Sequence, residues 1–409
     1  MAVGLGATSC GSDDPNASRT EGITDISQEQ TLDIVSNWSQ SGDAEALQTV
    51  IDLYKRTHPG HQVINNSPPT WDSYAEVADR IATGQSPDLF MMQTVILSSY
   101  AQPDSDIPLE PLDEFLASPS QADVLKNIYP ELVADVTVDG QIYAIPVGFT
   151  RTNALFYSKR VFAERGLNPP TTTAELFAVC KSLKAAGMTP LGTGFLALTI
   201  DNLLAAGLGV DAFYKYRNGG AFDETALRNA VDFFAEVLDN CLDREDLQTG
   251  GGIGRDADTS ALINGQIGMV IGAEWYKASL EQLGWSPGID YGIATPPGQA
   301  GLFTYVLDAF TLPLAAPHRQ NALDFLGILI STDAQAAIGA RNATPVRMDV
   351  DLSRLDTERQ SLIEDMKQAK YRFALSHDPH LVWEEAVRSF GQSQPYDKES
   401  LLQVLLTDH

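Results

Sequence analysis

Basic residues are scarce in this chain: 27 Lys and Arg stand against 54 Asp and Glu in 409 residues, a formal net charge of −27. Such a field repels nucleic acid and anionic lipid at long range, so neither is an expected partner. Histidines number six; His377-Asp378-Pro379-His380 could suggest a metal, but Pro379 breaks helical spacing and no other histidine or cysteine cluster supplies further ligands. The glycine-rich run Gly250-Gly251-Gly252-Ile253-Gly254 is followed by Arg255 and Asp256 rather than Lys and Ser or Thr, which fails the phosphate-loop pattern. No serine sits in a Gly-x-Ser-x-Gly elbow and no cysteine has a histidine near it in sequence, so nucleophilic hydrolase chemistry has no visible support. Beyond the N-terminus no apolar run is long enough to span a bilayer, which leaves that end as the one route to a membrane.

What is present describes a large globular protein. Apolar residues make up 44% of the chain and charged residues 20%, an ordinary balance for a folded domain. The length exceeds what one hydrophobic core organises, so two lobes of roughly 150 to 200 residues each are expected.

The three cysteines are not equivalent. Cys10 lies in Ala7-Thr8-Ser9-Cys10-Gly11-Ser12 and precedes the polar, turn-forming tract Ser12 to Asn16, which builds no core. Small residues before a cysteine, then a hydrophilic tether, are similar to a bacterial lipoprotein processing site, although Ala7 stands where leucine is commonest. Cys180 falls on the apolar stripe Leu176, Val179, Cys180, Leu183 of a helix that Thr172 and Glu175 open as a capping box. Cys241 ends a similar stripe through Leu227, Val231, Phe234 and Leu238. Both thiols face inward. In an exported chain they are expected to pair; two small buried hydrophobes is the other reading.

Along the chain, strands and helices alternate. Thr31 to Trp38 reads as a buried strand, followed by a helix burying Leu47, Val50, Ile51 and Tyr54 and ended by His58-Pro59-Gly60. Tyr74, Val77, Ala78 and Ile81 mark a second helix, and Asp88 to Met92 a second strand. Functional loops are then expected at the carboxyl ends of the strands, where Trp38 and Gln93 lie. Asp139-Gly140 suits a tight hairpin turn. A first crossing between lobes is expected near Val147 to Thr150. Residues 159 to 304 read as mostly helical, with a strand from Ile267 to Ala273. Phe303 to Leu312 reads as a strand making the second crossing, and the chain from Thr357 onward as helical. The expected architecture is α/β in two lobes, each a mixed sheet flanked by helices. Residues 1–30 form a signal remnant, processing site and tether; 31–147 plus 306–343 the first lobe; 148–305 plus 344–409 the second.

The ordered set TLDIVSNW, Gly42-Asp43, EALQTVIDLYKRTHPG, AEVADRIATGQSPDLFMMQ, DGQIYAIPVGFTRTNALFYSK, GLNPPTTTAELFAVCKSLKAAG, INGQIGMVIGAEW and LDAFTLPLAAPHRQNALDFL resembles the family 1 extracellular solute-binding proteins of ABC importers. The resemblance covers residues 31 to 400 and is nearest to the branch that binds glucose, galactose or similar monosaccharides. It implies a two-lobed receptor outside the cytoplasm, monomeric, needing no cofactor, that closes on a sugar and is read by membrane permease subunits.

The same resemblance implies the ligand residues. Trp38 matches the aromatic after the first strand, Asp43 the acidic residue opening the first helix, and Gln93 the polar residue after the second strand. Trp275 matches the aromatic of the Gly-x-x-Trp turn, Asp308 the acidic residue of the second crossing, and His377 a histidine before the final helices. Arg151, in Arg151-Thr152-Asn153 after the first crossing, is counted with them. Relatives often carry two adjacent aromatics where this chain has Asn37 then Trp38, and Met91 fills another usually polar position.

The chemistry suits those residue types. A pyranose shows C–H patches on its faces and hydroxyls round its rim, so it calls for aromatic plates and charged or amide partners. Plainer readings stand beside these: core aromatics for Trp38 and Trp275, a helix N-terminal charge for Asp43, a surface amide for Gln93, a lobe-bridging ion pair for Arg151, and buried structural groups for Asp308 and His377. A glycoside hydrolase using Glu274 and Asp308 as paired carboxylates is the rival class.

Overall fold

β1 (Thr31–Val35) buries Leu32, Ile34 and Val35 and lies between β2 (Gln62–Asn66) and β3 (Leu89–Gln93), parallel to both. This is the computed structural model of the chain, which describes residues 30–39, 41–66, 73–102, 104–192, 196–221, 223–243, 254–341, 343–375 and 381–407. Cys10, His377 and the run Gly250 to Ile253 lie outside the described residues. Helix α1 (Ser41–Thr57) joins β1 to β2 and buries Ala46, Leu47, Val50, Ile51 and Tyr54, the one-sided stripe that a 3.6-residue period places on a sheet. Helix α2 (Ser73–Ala82) leads into β3. Parallel neighbours joined by helices put the loops after β1 and β3 at one end of the sheet.

The expected hairpin forms as β4 (Thr137–Val138) and β5 (Gln141–Ile142). Its turn residues Asp139 and Gly140 have φ of 50° and 81°, the two positive values a type I′ turn requires. β6 (Ala144–Arg151) then carries the chain to the second lobe.

The second lobe is built on the sheet order β10-β7-β9-β8, from β7 (Ala154–Ser158), β8 (Thr189–Gly192), β9 (Ile267–Gly272) and β10 (Tyr291–Ala294). Helices α3 (Thr173–Ala185), α4 (Leu196–Leu208) and α5 (Glu224–Asn240) cover it, and Thr172 and Glu175 form the expected capping box. Cys180 and Cys241 are fully buried and joined as a disulfide, Cα atoms 5.1 Å apart, which ties α3 to the end of α5. Helix α6 (Trp275–Gln282) follows β9.

The chain returns through β11 (Leu302–Thr311), which pairs antiparallel with both β3 and β6 and so completes the first sheet. Thr152 and Thr304 lace the two crossings together: the Thr152 N–H donates to the Thr304 carbonyl at 2.9 Å, and their hydroxyls meet at 2.7 Å. Helices α7 (Arg319–Leu329) and α8 (Thr332–Gly339) pack on the first lobe.

Two features differ from the sequence expectation. Strands β2, β8, β10 and β12 (Tyr371–Ala374) fall where loop or helix was read. They are short, and β2 and β12 have no fully buried residue, so neither an apolar run nor a clean alternation marks them. The second difference concerns residues 344–375, which the sequence pattern assigns to the second lobe. Helix α9 (Thr357–Gln368) buries Leu362, Ile363 and Met366 in the first core, and β12 adds to the first sheet parallel to β11. Helices α10 (Leu381–Gln392) and α11 (Lys398–Thr407) do join the second core, through Val387, Phe390, Leu401, Leu402 and Leu405.

Candidate functional site

The carboxyl ends of β1 and β3 and the middle of β11 converge on one point. Past the end of β1 the chain turns back on itself, the Trp38 N–H donating to Ser36 Oγ at 3.1 Å. That turn buries the Trp38 ring to 3% exposure and aims its indole Nε1 at Asp308 Oδ2, 2.9 Å away. Asp308 lies opposite Gln93 of β3 on one side and Gly148 of β6 on the other, with a bulge between Asp308 and Ala309. Gly148 is required there, since a Cβ at that position would meet the Ala343 Cβ at 2.6 Å. Half-buried Asp43, in the first turn of α1, completes the group.

Burial pushes the Asp308 carboxyl up to about 7; the Trp38 N–H opposes the shift and the charge of Asp43 adds to it. Asp308 Oδ1 takes no bond from the described residues and is available as an acceptor. Gln93 is half-buried, its backbone N–H held by the Tyr74 hydroxyl at 3.2 Å.

The second lobe contributes Trp275, the first residue of α6, half-buried at the edge of a third cluster that includes Phe156, Tyr276 and Tyr291. Helices α1 and α6 touch across the lobe boundary. Trp38, Asp43, Gln93 and Asp308 therefore belong to the first lobe and Trp275 to the second, where the two lobes meet through α1 and α6. Trp38 offers little ring surface in this state and serves to orient Asp308, whereas Trp275 keeps part of its ring accessible.

Arg151 is not brought to this group. In the β6–β11 register it faces Tyr305, three residues from Asp308 along β11, and alternation puts the two on opposite faces of the sheet. Its guanidinium is buried against Asp365 Oδ2 at 3.0 Å, Thr295 Oγ1 at 3.1 Å and Asn153 Oδ1 at 3.2 Å, over the Phe303 ring. A cavity of about 360 Å³ opens beside it, between α9 and the β7–β10 edge. Glu274, the carboxylate that a hydrolase would pair with Asp308, sits in this second assembly. It accepts from Arg359 Nη1 at 3.2 Å and from the Arg151 N–H at 3.3 Å. Burial pushes its carboxyl up and Arg359 pulls it back. Among the described residues no cluster of three or more His, Cys, Asp or Glu is placed to hold a metal ion.

Two polar groups beside the site escaped the sequence reading. Asn37 Oδ1 and Thr94 Oγ1 are buried without a hydrogen-bond partner among the described residues, a state that costs about 1–3 kcal/mol per group. They flank Trp38 and Gln93, and the signal available was their position as polar residues just past two apolar strands.

Comparison with known proteins shows the family and the fold. An "Uncharacterized ABC transporter extracellular-binding protein" of Pyrococcus horikoshii is 24% identical over 387 residues, 90% of this chain and 83% of that protein. A "Probable sugar-binding periplasmic protein" of Brucella melitensis is 23% identical over 365 residues, 86% and 83% of the two chains. Among solved structures, the bacterial solute receptor AcbH, described as exclusive for β-D-galactopyranose, superposes with a TM-score of 0.76 at 16% identity, covering 92% of this chain and 97% of its own. The profile of the bacterial extracellular solute-binding proteins matches residues 38–336, spanning both lobes and both crossings, and the chain belongs to that family.

Proposed function

We propose that this protein is the sugar-capturing component of an ABC importer and that it favours a neutral hexose of the glucose or galactose type. Family membership carries an extracytoplasmic location; a lipid on Cys10 would hold the protein at the membrane surface, where permease subunits read its closed form. The reading is supported by the grouping of Trp38, Asp308, Asp43 and Gln93 at one end of the first sheet, with α6, the second-lobe helix that Trp275 begins, packed against α1.

In this mechanism Trp275 covers a C–H face of the ring while Asp308 Oδ1, Asp43 and the Gln93 amide take hydroxyls on its rim. Asn37 and Thr94 supply further polar contacts, and His377 joins from the segment before α10. Asp43 and Asp308 repel a ligand carboxylate or phosphate, which favours uncharged sugars over uronic acids and sugar phosphates. The laced crossings at Thr152 and Thr304 act as the hinge, and contacts made only when the lobes meet shift the population toward closure. The galactose preference described for AcbH supports a monosaccharide of this size.

Calorimetry against mono- and disaccharides, with uronic acids included, tests the reading. Binding of a neutral hexose, accompanied by a smaller radius of gyration in scattering, is the expected result. Binding of none of the sugars, or a preference for the uronic acids, would overturn it.

A further inference from the structure

Trp275 belongs to the second lobe, yet the residues on both sides of it are held by a helix of the first. Glu274, immediately before it, accepts from Arg359 Nη1 at 3.2 and 3.3 Å, and the same nitrogen donates to Thr344 Oγ1 at 3.0 Å. Both partners of that ion pair are buried, with side chains 2% and 6% exposed. Lys277, two residues after Trp275, donates to Asp356 Oδ2 at 3.2 Å. Asp356 is also the N-cap of α9, accepting from the Arg359 N–H at 2.7 Å. One turn of α9, its first, thus grips one turn of α6, its first, through two ion pairs. A third pair, Asp365 with Arg151, ties the far end of α9 to the crossing strand.

The same buried face of α9 that carries Arg359 continues through Leu362, Ile363 and Met366, which fix the helix in the first core. The grip therefore indexes the start of α6 to the first lobe rather than to a mobile segment. A buried pair held in this geometry is sensitive to displacement, because separating its members leaves two uncompensated charges.

We infer that Asp356 and Arg359 are positioning residues for Trp275: through Lys277 and Glu274 they set where the indole stands relative to the first-lobe residues Asp308 and Gln93. The inference rests on the reading of Trp275 as a ligand plate only for its effect on affinity; the positioning itself is independent of any ligand.

The test uses full-length protein labelled with 5-fluorotryptophan, with Trp275 assigned by the signal lost in Trp275→Phe and Trp38 by the signal lost in Trp38→Phe. Two variants are compared with the wild type. Arg359→Gln removes the buried cation, and the milder Asp356→Asn removes the first-lobe partner of Lys277, which keeps its pair with Glu281, while leaving a good helix cap. The expected result is a shifted or broadened Trp275 resonance in both variants with the Trp38 resonance unchanged, together with a fivefold or greater loss of D-glucose affinity in Arg359→Gln. An unmoved Trp275 resonance in folded variants overturns the inference. A moved resonance with unchanged D-glucose and D-galactose affinities leaves the positioning in place and removes the stacking role proposed for Trp275.

Discussion

The indole N–H of Trp38 donates to Asp308 Oδ2 at 2.9 Å, joining the end of β1 to a strand 270 residues further along the chain. A hydrogen bond to a buried carboxylate contributes about 1.5–3 kcal/mol when the acceptor is ionised. Trp38→Phe keeps most of the packing and deletes the donor, which raises the Asp308 carboxyl further. Urea denaturation is expected to show the larger part of the loss at pH 8.5, where the wild-type carboxylate is charged, and a smaller part at pH 5. An equal loss at both values would assign Trp38 to packing alone.

A second expectation concerns pH and the apoprotein. Burial raises Asp308 to about 7, and raises Asp135 to about 6 against the donation of the Tyr305 hydroxyl, compared with about 4 in an unfolded chain. Between those limits the folded state binds more protons than the unfolded one, so the stabilisation is complete below about pH 4 and lost as pH rises through 6 and 7. A tenfold difference in proton affinity between the two states corresponds to about 1.4 kcal/mol. Asp308→Asn flattens the upper part of this slope and Asp135→Asn the lower part, measured by denaturation at pH 4.5, 6 and 8.

Ligand affinity runs the other way with pH. Sugar hydroxyls donate to the ionised form of Asp308, so binding strengthens as pH rises from 5.5 to 8 and releases a proton in the lower part of that range. Asp308→Asn keeps the shape but exchanges an acceptor for a mixed donor and acceptor. Affinity for the preferred hexose should fall at least tenfold, about 1.4 kcal/mol, and the pH dependence should flatten. Calorimetry in buffers of differing ionisation heat reads both, and an unchanged affinity would remove Asp308 from the site.

Trp275→Ala is expected to weaken hexose binding by about 2 kcal/mol or more. Because the ring is only half-buried, the melting temperature of the apoprotein falls less than for a fully buried aromatic. A large loss of apo stability with little loss of affinity would make Trp275 part of the third cluster and nothing more.

The disulfide gives an independent check on the second lobe. Cys180 and Cys241 close a loop with a sequence separation of 61, and replacing both by alanine is expected to cost about 2–4 kcal/mol through the freer unfolded chain. Reductant should lower the wild-type melting temperature and leave the double variant unmoved.

Local chemistry was legible wherever it is decided locally. Thr172 and Glu175 announce a capping box, Asp139-Gly140 a type I′ turn, and the stripes through Cys180 and Cys241 put both sulfurs inside. What escaped depends on pairings that leave no period in the sequence. Tyr371 to Ala374 joins the first sheet because Leu302 to Tyr305 of β11 lies open beside it, and no residue of β12 states that preference. Arg151 follows the same logic: Thr150 shares the face of Asp308 and Arg151 does not, a distinction of one residue that only the register with β11 reveals. Asn37 was visible as a polar residue before Trp38, but its unpaired oxygen is a property of the packed turn.

The late arrival of β11 also orders assembly in time. β3 and β6 wait for their shared antiparallel neighbour until the whole second lobe has been synthesised, and β12 comes later still. The second lobe draws β7, β8, β9 and β10 from one uninterrupted stretch and so can complete its sheet before β11 closes the first one. During synthesis the leading part of the chain therefore carries open strand edges and an unfinished core, which delays its burial. For a protein that functions beyond the cytoplasm, that delay keeps the leading segment threadable through a translocation channel, at the cost of a longer exposure to aggregation and a greater need for a holding chaperone.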